Sequence, residues 1–242
     1  MAYSALAGIC IPPFCPTKPR GTGYLGKVRV VSDLATRSLY LCVGVREDVS
    51  SFLPAVLRGG VDLVQLREKS LPDEARRDAA RRMIPVCRDF GVPFIMNDSA
   101  ELASEVGADG VHVGQEDASV AHCRELLGDE SIVGLSTHAD EEFDAGLAQP
   151  VTYLSAGPIV ETPTKLGRAP TGRDYAARAQ ARSRVPVFVT GGVTDQNVAD
   201  LVGAGLRHFV VVRYLTESSA PERAARALRH ALDEALATAP PA

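Results

Sequence analysis

From Leu39 onward, short runs rich in Val, Ile, Leu and Tyr alternate with longer stretches rich in Ala, Arg and Glu, the pattern of repeated strand-helix units. The apolar runs predict strands over 39–43, 62–66, 93–96, 110–113, 131–135, 151–155, 186–190 and 207–212. Between and after them the pattern predicts helices over 48–58, 72–90, 99–106, 117–127, 139–147, 174–182, 194–203 and 219–236. A helix between successive strands makes those strands parallel. Several helices run through glycine into the next strand, as in Gly59-Gly60-Val61-Asp62, Gly107-Ala108-Asp109-Gly110 and Gly203-Ala204-Gly205, where a left-handed residue turns the chain back to the sheet. Eight equivalent units predict a closed (β/α)8 barrel of the TIM type. An open sheet of the flavodoxin kind would use five units and leave three without a place.

Composition narrows the classes. The 242 residues are 45% apolar and 23% charged, enough for a sizeable core without disulfide or metal staples. No window approaches 18 uninterrupted apolar residues, so no membrane span is expected. A net charge of −4 gives no polybasic face for nucleic acid or a membrane surface, so an anionic ligand must be held by locally placed charges. Five cysteines, without a Cys-x-x-Cys pair, read as reduced intracellular thiols, and neither zinc nor disulfides are expected. Residues 1–37 differ from the rest, with prolines at 12, 13, 16 and 19 and a local charge of +4 that leaves −8 on the remainder. This stretch is expected to be a disordered N-terminal extension or an over-long start, and 38–242 the barrel domain. The prolines interrupt any sustained apolar run, so a secretory signal is not expected.

In such a barrel, chemistry belongs to the loops at the C-terminal ends of the strands. Those exits are polar: Gln65-Leu66-Arg67-Glu68-Lys69 after strand 2, Asn97-Asp98 after strand 3, His112 to Asp117 after strand 4, and Ser136-Thr137-His138 after strand 5. Arg67 and Lys69 with Asp98 and Asp117 suit a pyrophosphate held by cations and Mg²⁺, whose hard oxygen ligands are carboxylates, water and phosphate. The plainer reading makes Arg67, Glu68 and Lys69 solvated loop charges, and Asp98 and Asp117 caps of the following helices. The chain has 22 Arg and four Lys, and the two lysines after the extension, Lys69 and Lys165, both fall in these loops. The second half offers Thr162-Pro163-Thr164 in a long loop, Gly191-Gly192 after strand 7, and Val212-Arg213 after strand 8. These suit the phosphate site that barrels build from their last loops, although paired glycines also mark ordinary tight turns. His138 lies beside Ser136, with no Asp at an obvious orienting position, and His112 reads as a satisfied residue of the barrel.

A diphosphate half and a monophosphate half on one rim suggest that an activated fragment is joined to a phosphorylated acceptor. The chain resembles the thiamine-phosphate synthase family in Val64-Gln65-Leu66-Arg67-Glu68-Lys69, in Asn97-Asp98, in the run Gly107-Ala108-Asp109-Gly110 to Gln115-Glu116-Asp117, in Gly157-Pro158-Ile159 with Thr162-Pro163-Thr164-Lys165, and in Thr190-Gly191-Gly192-Val193. The resemblance covers about 39–236. It implies a transferase that couples hydroxymethylpyrimidine diphosphate to a thiazole phosphate, giving thiamine monophosphate and pyrophosphate by prior departure of the pyrophosphate. By the same resemblance Gln65, Arg67, Glu68, Lys69, Asn97, Ser136 and Lys165 bind the pyrimidine diphosphate, with Arg67, Lys69, Lys165 and Ser136 as the catalytic set. Asp98 and Asp117 hold Mg²⁺, and Thr162, Pro163, Thr164, Gly192, Val212 and Arg213 bind the thiazole phosphate. The chain departs from the family in Val43-Gly44, where a Thr-Asp pair is common, and in Tyr214, where a small residue is usual. Neither is expected to touch the motif residues, although Tyr214 could narrow the phosphate rim.

Two other functions fit parts of this pattern. A thiazole tautomerase would share the barrel and the thiazole phosphate site and use a histidine such as His138, but would have no need of the cations and paired carboxylates. A non-catalytic sensor of thiazole phosphate or thiamine monophosphate would tolerate loss of the metal half. The expected partners are small-molecule substrates, with a homo-oligomer left open, and neither nucleic acid nor membrane expected. A cytoplasmic setting is expected, with a plastid form carrying 1–37 as a transit segment as the alternative.

Overall fold

The computed structural model describes residues 34–162 and 169–240. Eight parallel strands close into a barrel in sequence order: β1 (Leu39–Val43), β2 (Leu63–Leu66), β3 (Phe94–Asn97), β4 (Gly110–Val113), β5 (Ile132–Thr137), β6 (Tyr153–Ala156), β7 (Val187–Val189) and β8 (His208–Val211). Closure is made by β8 on β1, with Tyr40 opposite Val210 and Leu41 opposite Val211. The helices between them are α1 (Val49–Arg58), α2 (Asp73–Asp89), α3 (Ala100–Val106), α4 (Val120–Leu127), α5 (Asp140–Leu147), α6 (Arg173–Arg182) and α7 (Val198–Gly203). A four-residue helix α8 (Arg213–Thr216) and the long α9 (Pro221–Thr238) follow the last strand. The fold is a (β/α)8 barrel.

Alternation along each strand sorts the core into two bodies. Leu39, Leu41, Val43, Val64, Leu66, Phe94, Met96, Val111 and Val113 face outward and pack with the apolar stripes of the helices. Tyr40, Leu63, Ile95, Ile132, Tyr153 and Phe188 face inward and fill the barrel with Leu34. Above this apolar layer the inward positions turn polar: Gln65, Asn97, His112 and Ser155 are all buried. The barrel therefore has a dry floor and a hydrogen-bonding mouth.

Element boundaries correct the sequence expectations in places that matter. Strand β5 runs through Thr137, so Ser136 is a strand residue and not a loop residue. Helix α4 begins at Val120 instead of 117, and α7 at Val198 instead of 194. The short helix α8, which carries Arg213 and Tyr214, has too few residues to show a periodic apolar pattern. Gly107 caps α3 in the left-handed conformation as expected. In the other two turns the left-handed residues are Gly60 and Gly205, each two positions after the last helical residue, Arg58 and Gly203.

Candidate active site

The mouth of the barrel opens into a cavity of about 650 Å³. Of the described residues singled out by sequence, Gln65, Arg67, Lys69, Asn97, Asp98, Asp117, Ser136, Thr162, Gly192, Val212 and Arg213 all line it. Pro163, Thr164 and Lys165 lie outside the described residues. Glu68 is not part of the lining. Its carboxylate accepts from the backbone N–H and the hydroxyl of Ser70, at 2.9 and 2.6 Å, and these bonds hold it below the usual carboxylate range. A Cβ placed on Gly44 would meet Glu68 Oε2 at 3.2 Å, so a larger residue there would press on the motif.

On one side of the cavity, Lys69 Nζ lies 2.9 Å from Asp98 Oδ2. Burial pushes the Asp98 carboxyl up, Lys69 pulls it down, and the hydrogen-bonded Asp117 beside it pushes it up again. Neither aspartate caps a helix. Ser99 Oγ caps α3 by accepting from Leu102 N, and Ser119 Oγ caps α4 by accepting from His122 N. Asp117 instead accepts from Gly114 N at 2.7 Å, which turns its carboxylate back over the mouth. Asp98 has φ 68°, the one positive φ of a non-glycine among the described residues. Its N–H donates to the His112 carbonyl at 2.8 Å, tying this strained position to the next strand. Two adjoining carboxylates of hard oxygens beside a lysine suit a Mg²⁺ ion that keeps most of its water.

The other side is built from β7 and β8. Gly191 and Gly192 have φ of 107° and 68°, and a Cβ on Gly192 would lie 2.7 Å from Val160. A side chain is thus excluded, and the backbone can come close to a ligand. Arg213 is exposed at the rim. The hydroxyl of Tyr214, also in the lining, is pushed up to about 12 by burial and by its hydrogen bond to Asp195.

Of the polar groups on the cavity wall, Asn97 is one expected from the sequence, whereas Thr190 and Glu142 are not. Asn97, only 4% exposed, has its Nδ2 without a hydrogen-bond partner among the described residues, and Thr190 Oγ1 is in the same condition. Such orphaned donors are costly unless a ligand or water meets them. Thr190 stood inside a recognised run yet carried no distinguishing spacing. His138 does have an orienting carboxylate: Glu142 Oε2 accepts from its backbone N at 2.8 Å and lies 2.9 Å from Nδ1. That partner is one helical turn away, a legible i,i+4 spacing hidden by looking for Asp alone. His112 is satisfied as expected, lying 2.9 Å from the hydroxyls of both Tyr153 and Ser136. Cys42, Cys87 and Cys123 are buried and outside any disulfide, and no helix among the described residues is long and apolar enough to cross a membrane.

Comparison with known proteins shows the family and the fold. A family model described as thiamine monophosphate synthase matches residues 39–215. A thiamine-phosphate synthase of Nostoc punctiforme is 40% identical over 183 residues, covering 76% of this chain and 52% of the relative. One from Acidothermus cellulolyticus is 40% identical over 199 residues, covering 80% of this chain and 94% of the relative. The chain thus spans about half the length of the Nostoc protein and nearly all of the Acidothermus one. A thiamine phosphate pyrophosphorylase structure from Pyrococcus furiosus superimposes with a TM-score of 0.74 at 23% identity, over 82% of this chain and 96% of that one, a likeness of fold.

Proposed function

The chain belongs to the thiamine monophosphate synthase family, and on that premise we propose that it couples a hydroxymethylpyrimidine diphosphate to a thiazole phosphate, giving thiamine monophosphate and pyrophosphate. One observation carries the reading: Arg67, Lys69, Asp98 and Asp117, drawn from three different strand ends, line the same side of one cavity whose opposite side is glycine backbone and Arg213.

The reaction breaks the bond between the pyrimidine methylene carbon and the diphosphate oxygen, and the electron pair leaves with the pyrophosphate. The thiazole nitrogen then gives its lone pair to the methylene carbon, so no side-chain nucleophile is needed. Asp98 and Asp117 would hold Mg²⁺, which supplies positive charge to the departing diphosphate. Arg67, Lys69 and Lys165 place further positive charge against that group, and such preorganised charge acts strongly in a site with little water. Ser136 donates to the same substrate, while Gln65 and Asn97 hold its pyrimidine end. Glu68 serves at one remove, ordering the Arg67–Lys69 loop through Ser70. Thr162, Pro163 and Thr164, with the backbone of Gly192, Val212 and Arg213, hold the thiazole phosphate. A cytoplasmic setting goes with this reading and with three buried cysteines outside any disulfide.

A second reading, proton transfer on a thiazole phosphate, is favoured by the His138–Glu142 pair on the cavity wall. Incubation with both substrates and Mg²⁺ is expected to release thiamine monophosphate and pyrophosphate in equal amounts. Pyrophosphate binding that is indifferent to Mg²⁺, with no coupled product, would exclude the synthase.

A further inference from the structure

On the floor of the cavity a chain of polar groups crosses the barrel. It starts at the Gln65 carboxamide, whose Oε1 accepts from Cys42 Sγ at 3.3 Å and whose Nε2 donates to the Tyr40 hydroxyl at 2.7 Å. The Tyr40 and Tyr153 hydroxyls are 2.9 Å apart, and the Tyr153 hydroxyl is 2.9 Å from His112 Nδ1. His112 Nε2 is 2.9 Å from Ser136 Oγ, at the cavity. Tyr153 is fully buried, and its ring stacks on the His112 ring with centroids 5.4 Å apart. The room it needs is made by Gly134, where a Cβ would lie 2.1 Å from the Tyr153 ring.

The first link favours one polarity for this chain. Burial keeps both phenols protonated, so each hydroxyl has one hydrogen to give. The Gln65 amide donates to Tyr40, and the direction that carries this onward has Tyr40 donating to Tyr153 and Tyr153 donating to His112 Nδ1. A neutral imidazole that accepts at Nδ1 carries its hydrogen at Nε2, and so donates to Ser136 Oγ. Ser155 Oγ, 3.4 Å away, donates to the same oxygen. With two donors aimed at Ser136, the hydrogen of Ser136 itself is left for the cavity.

We infer that Gln65, Tyr40, Tyr153 and His112 form a one-way hydrogen-bond relay that makes the Ser136 hydroxyl an obligate donor to the substrate. Tyr40, Tyr153 and His112 are then positioning residues that act through Ser136. The substrate atom at Ser136 must be an acceptor with a free lone pair, such as a phosphate oxygen or an unprotonated ring nitrogen, and not an amino group. That this atom belongs to the pyrimidine diphosphate rests on the function proposed above. Rotating the Gln65 amide by half a turn would reverse every link and leave Ser136 accepting, so the tautomer of His112 reports the direction.

The test is a long-range ¹H–¹⁵N correlation spectrum of the ligand-free protein at neutral pH, with the His112 signals assigned by their loss in His112→Asn. A neutral ring with its hydrogen on Nε2 is expected. A hydrogen on Nδ1, or an imidazolium, would overturn the relay. In kinetics, Tyr153→Phe is expected to lower kcat about tenfold, the worth of one hydrogen bond, with KM little changed. Adding it to Ser136→Ala should cause no further loss, whereas an additive loss would show that Tyr153 does not act through Ser136. The spectrum needs no substrate, so a wild-type protein without turnover would sink the proposed reaction and leave the relay to be decided by the tautomer.

Discussion

Lys69 and Asp117 illustrate side chains whose removal should harm chemistry more than structure. Because Ser119 caps α4, Asp117 is not needed for the helix, and the Lys69–Asp98 pair is half exposed on the lysine side and thus weak as a structural contact. Lys69→Ala and Asp117→Ala are each expected to lower turnover by about 10² or more with an unchanged melting temperature. Steady-state kinetics beside thermal unfolding checks this, and near-normal turnover would remove either residue from the mechanism. Thr190 makes the converse case. Its orphaned hydroxyl contributes nothing to the fold among the described residues, so Thr190→Val should unfold at the same or a slightly higher temperature. If that hydroxyl awaits substrate, calorimetric titration with the thiazole phosphate will show affinity about tenfold weaker. Unchanged affinity would assign the group to water.

At the scale of the element, a repeated device explains part of the sequence recurrence. The residue before each of three strands lends a side-chain oxygen to the preceding strand: Asp62 accepts from Leu39 N, Asp109 from Phe94 N, and Thr152 from Val133 N. The aspartate of the Gly107-Ala108-Asp109-Gly110 run is therefore a strand-joining residue, and a motif that looked functional is in this position architectural. Gly134 is architectural in another way, since its missing side chain admits Tyr153. Gly134→Ala should cost about 1–3 kcal/mol by overpacking, measured by chemical denaturation, and should disturb the His112 resonances as well. A stability equal to wild type would mean that Tyr153 can move aside. The strands and helices were legible because their apolar periods differ. The onset of α4 and α7 was not, because polar loop residues and the first helical turn share a composition.

For the whole molecule, stability turns on how the barrel is closed. His208 begins β8, packs on Phe188 at 5.1 Å, and donates from Nδ1 to the Arg37 carbonyl at 2.8 Å, joining the entering segment to the last strand. Burial pushes its pKa down, and the bond to Arg37 offsets this in part. A base with a depressed folded value contributes stability that is present above the unfolded value of about 6.5 and is lost as pH falls through the folded one. The melting temperature should therefore drop as pH is lowered from 7 toward 5.5, and His208→Asn should flatten that part of the profile. An unchanged slope would place the acid sensitivity elsewhere. The chain's own pattern of apolar periods and turn glycines determined eight strand-helix units, and with them the barrel and the rim on which polar residues collect. Tertiary structure alone decided that Tyr40 meets Tyr153 across 113 residues, that Glu68 turns away from the cavity, and that Glu142 orients His138. The physical reason is that periodicity reports which face a residue occupies, whereas the partner it finds there depends on strand register, barrel closure and the local course of a loop.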